Sequence, residues 1–207
     1  KPLTISFLAA TPILDMKGVD YQPGAWEKIT GTGAGVYTEV SVYTDPKTKV
    51  VEEILTVAAG LLSSGQLWKW DMMSNQGKWE QIIVNNINFN IISAQINPSN
   101  KNHFIVALKE PEMSQKNKDV LKVYSSLDAG KTWTSVLSLS PDIETNDGAT
   151  VRFFDGSHLL LMHRTKGVFI SSDSGKTWKN TKIGYLEYWS RGFSSATAKG
   201  RAMIYFR

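Results

Sequence analysis

The side chains best equipped for chemistry gather in four short stretches. Tyr185-Leu186-Glu187-Tyr188-Trp189-Ser190-Arg191 places aromatic rings, a carboxylate and a guanidinium within seven positions. Pro141-Asp142-Ile143-Glu144-Thr145-Asn146-Asp147 carries three carboxylates, Glu110-Pro111-Glu112 carries two, and His163-Arg164 adds two adjacent donors. Two carboxyl groups across a glycosidic bond can act as acid and base, and a tyrosine helped by a carboxylate is a variant of that pair. An arginine fork clamps a carboxylate, and aromatic rings offer flat apolar platforms. The catalytic candidates are therefore Glu187, Asp147 and Tyr185, and the ligand-binding candidates are Arg164, Arg191, Tyr188, Trp189 and Glu110. The plain alternative is that loop carboxylates are simply solvated, and that residues 185–189 pack between neighbouring elements. Acidic pairs such as Asp142 and Glu144 suit calcium in principle, but the sequence holds no EF-hand loop.

Composition removes several classes. The chain has 207 residues, 42% of them apolar and 20% charged, which is enough to bury a core. Lysine and arginine exceed aspartate and glutamate by 23 to 19, and no Lys/Arg cluster reads as a nucleic-acid stripe. With no cysteine there is no disulfide framework, thiolate metal site or cysteine nucleophile. Three histidines (His103, His158, His163) make no convincing zinc cluster, so neither metal nor cofactor is expected. The longest mostly apolar stretch, residues 54–62, is too short to span a bilayer.

The elements that must carry these residues announce themselves by repetition. Ser126-Leu127-Asp128-Ala129-Gly130-Lys131-Thr132-Trp133 recurs 45 positions later as Ser171-Ser172-Asp173-Ser174-Gly175-Lys176-Thr177-Trp178. Weaker copies run backwards through Asn75-Gln76-Gly77-Lys78-Trp79 and Asp20-Tyr21-Gln22-Pro23-Gly24-Ala25-Trp26. A second landmark lies between tryptophans: Asp45-Pro46, Asn97-Pro98 and Asp155-Gly156 each precede an apolar run, which is turn chemistry followed by strand composition. Each period reads strand, turn, apolar strand, loop, strand, Asp-Gly turn, strand. Four short strands in roughly fifty residues make a propeller blade. The expected fold is thus all-β, a single β-propeller domain over residues 1–207, with blades ending near Trp26, Trp79, Trp133 and Trp178. Residues 1–29 and 182–207 then share a fourth blade, unless the chain is a slice of a larger propeller.

The pattern Ser-x-Asp-x-Gly-x-Thr-Trp resembles the Asp box, or BNR repeat, of sialidases, sortilin-type receptors, xyloglucan-cleaving glycosidases and photosystem II assembly propellers. Residues 167–178, and 96–106 with their Asn-Pro turn, look closest to the sortilin and xyloglucanase type. In those families the box lies on the face away from the ligand. Its residues also have a sufficient structural explanation. The aspartate accepts hydrogen bonds within its own turn, the glycine supplies a positive φ, and the tryptophan buries apolar surface. The sequence departs from the sialidases in having no Arg-x-Pro element, since Arg152 is its first arginine. It also lacks the cysteines that follow a sortilin propeller.

The resemblance implies a ligand face built by two sets of loops. One comprises residues 30–35, 85–90, 140–149 and 184–192; the other comprises 60–65, 109–118 and 163–166. The leading expectation is a non-catalytic recognition or assembly module, exported or surface-exposed, that binds a glycan or a protein or peptide through this face. No nucleic acid and no membrane insertion are expected. The alternatives are a glycoside hydrolase of sialidase or xyloglucanase type, or a fragment of one, and a sortilin-like receptor piece that takes a peptide strand.

Overall fold

The computed structural model describes residues 36–59, 65–73, 79–111, 119–139 and 148–182. They form three successive four-stranded antiparallel sheets and, among the described residues, no helix. The first sheet is β1 (Val36–Thr44), β2 (Val51–Ala59), β3 (Gln66–Asp71) and β4 (Glu80–Ile82). The second is β5 (Ile91–Asn97), β6 (Asn100–Pro111), β7 (Asp119–Ser126) and β8 (Thr134–Ser138). The third is β9 (Ala149–Phe153), β10 (Leu159–His163), β11 (Gly167–Ser171) and β12 (Lys179–Asn180). Every strand pairs with its sequence neighbour, so each sheet is a meander. Four strands per period is the reading that the tryptophan spacing predicts.

The ends of the sheets are fixed by side chains that close local turns. Asp45 accepts the amides of Lys47 and Thr48 at 2.7 and 2.8 Å, Asn97 accepts that of Ser99 at 2.8 Å, and Asp155 those of Ser157 and His158 at 2.7 and 2.8 Å. These three residues end the first strand of each sheet and turn the chain into the second. The Ser-x-Asp-x-Gly turns lie at the same end, because Ala129 N–H donates to Asn102 O and Ser174 N–H to Ser157 O, each at 2.8 Å. The opposite end is tied in an equally repetitive way: Lys109 N–H donates to Asn90 O at 3.0 Å, and Arg164 N–H to Gly148 O at 3.1 Å.

The core lies between sheets rather than within one. Alternation in β6 and β7 sends Phe104, Val106, Leu108 and Tyr124 toward the first sheet, where they meet Leu55, Val57, Leu67 and Ile82. The intervening Ile105, Ala107, Leu121 and Val123 meet Val151, Phe153, Leu159 and Leu161 of the third sheet. Nearly every position of β6 from His103 to Leu108 is therefore buried, as expected for a strand covered on both faces. Each fully buried Leu, Ile, Val or Phe contributes about 1.5–3 kcal/mol. Leu160, Met162 and Val168 form a further apolar cluster on the outer side of the third sheet.

The first strands also interlock. Ser41 Oγ accepts the Ile96 amide of the next sheet at 3.0 Å, and Ser93 Oγ accepts that of Val151, also at 3.0 Å. Asn97 Nδ2 donates to Gly156 O at 2.8 Å, joining the turns of the second and third sheets. A Cβ on Gly156 would stand 2.6 Å from Ser99 Oγ, so this close approach requires glycine.

Candidate functional site

The two repeated turns have matching geometry. Ser126 Oγ donates to Asp128 Oδ1 at 2.8 Å and accepts Gly130 N–H at 2.8 Å. Asp128 then takes the Thr132 amide at 2.8 Å and the Thr132 hydroxyl at 2.6 Å, while Trp133 Nε1–H donates to Gly130 O at 3.0 Å. Ser171, Asp173, Gly175, Thr177 and Trp178 repeat the set at 2.8, 2.9, 2.9, 2.5 and 3.0 Å. Positive φ at Ala129 and Gly130 (59° and 89°) and at Ser174 and Gly175 (62° and 85°) aims the amides inward. The threonine hydroxyl and amide, with the serine hydroxyl, hold both aspartates down at about 2. The hydrogen bonds of these carboxylates close their own turns, which gives the aspartates a structural role.

A Ser-His-Asp group on the same end is equally local. His158 Nδ1 lies 2.9 Å from Asp155 Oδ2 and 3.1 Å from Ser157 Oγ. Both partners meet one ring nitrogen, whereas a catalytic relay needs the carboxylate on one nitrogen and the hydroxyl on the other. The backbone amide of Ser157, followed by that of His158, holds the Asp155 carboxyl well below its usual range.

Richer chemistry lies at the opposite end. Glu110, expected in a loop, is the penultimate residue of β6, which runs further than the composition predicts. Its neighbours are strand residues of β7: Tyr124 donates its phenol to Glu110 Oε1, and Lys122 Nζ lies 2.6 Å from Oε2. Asn85 Nδ2, on the tight turn between Val84 and Ile87, reaches Tyr124 OH at 3.3 Å. Left-handed φ at Asn85 and Asn86 (50° and 65°) builds that turn. Burial, then the bond to Glu110, raises the Tyr124 phenol, which keeps its proton and donates it to Glu110 Oε1. Asp119 shares this end, but it adjoins Val120, the cross-strand partner of Glu110, so the two carboxylates occupy opposite faces of the sheet.

Arg164 stands at the same end of the third sheet, after β10, half-buried, with its Nε–H lacking a hydrogen-bond partner among the described residues. His163 beside it is fully buried, and its Nδ1 lies 3.2 Å from the amides of Thr165 and Lys166, so that ring shapes the turn. The structure thus places Glu110 and Arg164 at one end, on different sheets. Glu187, Asp147, Tyr185, Arg191, Tyr188 and Trp189 lie outside the described residues.

One charged group was not singled out by its sequence neighbourhood. Glu39, Gln95 and Arg152 come from the first strands of the three sheets and converge. Glu39 accepts Gln95 Nε2 at 2.9 Å and the Ala94 amide at 3.1 Å, and it pairs with Arg152. Arg152 also donates to Val151 O at 3.0 Å, and burial lowers its guanidinium to about 10, leaving it charged at neutral pH. The pair links sheets one and three across β5, which packs against both β1 and β9 and shares the same carboxylate through Ala94 and Gln95. The available signal was a charge inside otherwise uncharged strands, at Glu39 and Arg152. No metal-ligating group of three or more acidic, His or Cys side chains occurs among the described residues.

No family model matches the chain, and no curated protein does. Solved structures do. The GH74 xyloglucanase of Xanthomonas campestris superposes with a TM-score of 0.51 at 16% identity, over 74% of this chain and 24% of that one. The GH74 enzyme of Niastella koreensis gives 0.53 at 20% identity, over 78% and 24%. YCF48 bound to D1 peptide gives 0.49 at 15% identity, over 77% and 44%. The chain spans about a quarter of the length of the two xyloglucanase-family structures. At this identity the likeness shows the fold, and the fold is of β-propeller type. No helix among the described residues is long and apolar enough to cross a membrane.

Proposed function

We propose that this chain is an Asp-box β-propeller recognition or assembly module that binds a glycan or a protein ligand through the face carrying Glu110, Lys122, Tyr124, Asn85 and Arg164. The observation that supports this reading most is the asymmetry between the two ends. At the turn end, Asp45, Asp128, Asp155 and Asp173 are all engaged in their own turns. At the other end, a half-buried guanidinium has an Nε–H with no partner among the described residues, and the exposed Asn85 amide touches a tyrosine–carboxylate–lysine group. Such a mixture of fixed donors and acceptors suits the hydroxyls of a sugar or the backbone and carboxylates of a peptide. Both oxygens of Glu110 are already bonded, which favours recognition over acid–base chemistry there. An exported or surface location accompanies the reading as an expectation.

The test is binding of the full chain to a glycan array and a peptide library, with xyloglucan and fluorogenic glycosides as turnover probes. The reading predicts saturable binding without turnover. That binding falls at least tenfold in Arg164→Ala or Lys122→Met and survives Lys131→Ala on the opposite end. Turnover that disappears in Glu187→Gln or Asp147→Asn would replace it with the glycosidase reading. Binding lost only in Lys131→Ala would place the ligand on the wrong face and overturn it.

A further inference from the structure

The repeat exposes an anomaly in the seam between the first and second sheets. The residues eight positions before Trp79, Trp133 and Trp178 are Asp71, Ser125 and Ile170. Their partners across the ladder are Glu53, Ile105 and Leu160. Ten positions before the same tryptophans stand Lys69, Val123 and Val168. Ile105 and Val123 are wholly buried against the third sheet, and Leu160 and Val168 lie in the apolar cluster beyond it. At these equivalent seam positions, only the first sheet carries Glu, Lys and Asp.

Glu53 is the most constrained of the three. It is 5% exposed, and its Oε2 has no hydrogen-bond partner among the described residues. Oε1 is 4.0 Å from Lys69 Nζ, but that ammonium is 3.8 Å from Glu80 on β4, so it is shared. Asp71 stands directly across the ladder. The titratable groups acting on Glu53 are Lys69 and Asp71 from β3, Lys101 from β6 and Glu52 beside it on β2, with Tyr43 across the ladder on β1. Lys101 is drawn to Glu52 at 3.0 Å. An ionised Glu53 is therefore a desolvated charge with a like charge opposite and a half share of one lysine. A protonated Glu53 carries no buried charge and meets no like-charge repulsion, so it keeps only the smaller cost of a buried polar group. Burial outweighs Lys69 and pushes the carboxyl up to about 7.

We propose that Glu53 is a proton-operated catch: protonated, it lets the seam between the first and second sheets close, and ionised, it loosens that seam at the turn end. The element it releases is the turn at residues 126–133, whose Ala129 and Trp133 pack on the seam's apolar cluster. Gly130 of that turn sits where an added Cβ would be 3.1 Å from Ile82 of the first sheet. The sign follows from the direction of the shift. A carboxyl raised in the closed state contributes fully below its opened-state value of 4.5, and that contribution is lost as pH rises through about 7. His103, in the other seam, has the opposite sign. It bonds Asn97 and Ser125 and packs on the Phe153 ring, and burial lowers it. Its contribution is lost on acidification, so the two seams respond in opposite directions.

The experiment is hydrogen exchange of the full chain at pH 5.5 and 8.5, corrected for intrinsic rates. Opened- and closed-state values of 4.5 and about 7 predict an opening equilibrium constant about 30-fold larger at the higher pH, and so about 30-fold less protection of β2 and residues 126–133. Glu53→Gln, or Glu53→Leu should the glutamine variant not fold, removes that ratio. A ratio unchanged in either variant overturns the proposal. So does a carbon-detected titration that finds the Glu53 carboxyl at about 4.3, the ordinary glutamate range.

Discussion

Removing the carboxylate of Glu39 tests the interlock of the first strands. Glu39→Gln keeps the shape and leaves Arg152 charged. One amide oxygen must then serve the Ala94 amide, Gln95 Nε2 and Arg152, while the new NH2 faces donors. The side chains of Arg152 and Glu39 are 23% and 8% exposed, so water replaces the lost carboxylate only in part. Breaking a buried pair by deleting one member costs about 3–5 kcal/mol, because the remaining charge stays buried. For a chain of this size each kcal/mol shifts Tm by about 2–4 °C, so a fall of at least about 6 °C is expected. Removing both charges, as in Glu39→Gln with Arg152→Met, leaves no stranded guanidinium and restores most of the loss. The assay is urea unfolding of the four proteins of this double-mutant cycle. A coupling below about 0.5 kcal/mol, or a single-mutant cost below about 1 kcal/mol, refutes the claim that these strands are held by that pair.

Three further outcomes follow from the turns and seams. Asp128 and Asp173 sit near 2 in the folded chain, against an ordinary 3.8, so the turns they close should begin to lose protection as pH falls from 4 toward 2. Hydrogen exchange of residues 126–133 and 171–178, corrected for intrinsic rates, should show this onset, and protection in the Asp128→Asn/Asp173→Asn variant should not change with pH over this range. Gly175→Ala should cost about 1–3 kcal/mol by thermal melting, since φ is 85° and the new Cβ would stand 3.0 Å from Ile105 Cδ1; a cost below 0.5 kcal/mol would show the turn is slack. Tyr124→Phe removes the donor to Glu110 Oε1 and the acceptor for Asn85, and should lower stability by about 0.5–1.5 kcal/mol in urea while weakening ligand capture. Unchanged values on both counts would separate that cluster from the binding face.

The repeat was legible from the sequence because its determinants are local. Serine, aspartate, glycine and threonine at fixed offsets close a turn with their own backbone, and the tryptophan seven positions after the serine caps it, so the spacing carries the geometry. Asp45, Asn97 and Asp155 announced the first turns for the same reason. Strand composition between them yielded four strands per period, as the sheets show. Glu110 and Arg164 were singled out as ligand candidates and lie at one end of their sheets, and Asn85 falls in the loop 85–90 expected on that face, but Tyr124 and Lys122 were missed because they read as ordinary strand residues. Their meeting depends on register, which pairs Val106 with Tyr124 and Glu110 with Val120 and so puts Glu110, Lys122 and Tyr124 on one face. Glu39 and Arg152 are 113 positions apart and belong to sheets that are not sequence neighbours. No pattern in either strand encodes that distance, and only the stacking of three sheets brings the two charges together. Glu53 is the intermediate case. Its offset from the tryptophan repeat marks it as a charge in an apolar column, but its exclusion from water, and hence its raised proton affinity, exists only once the second sheet covers it.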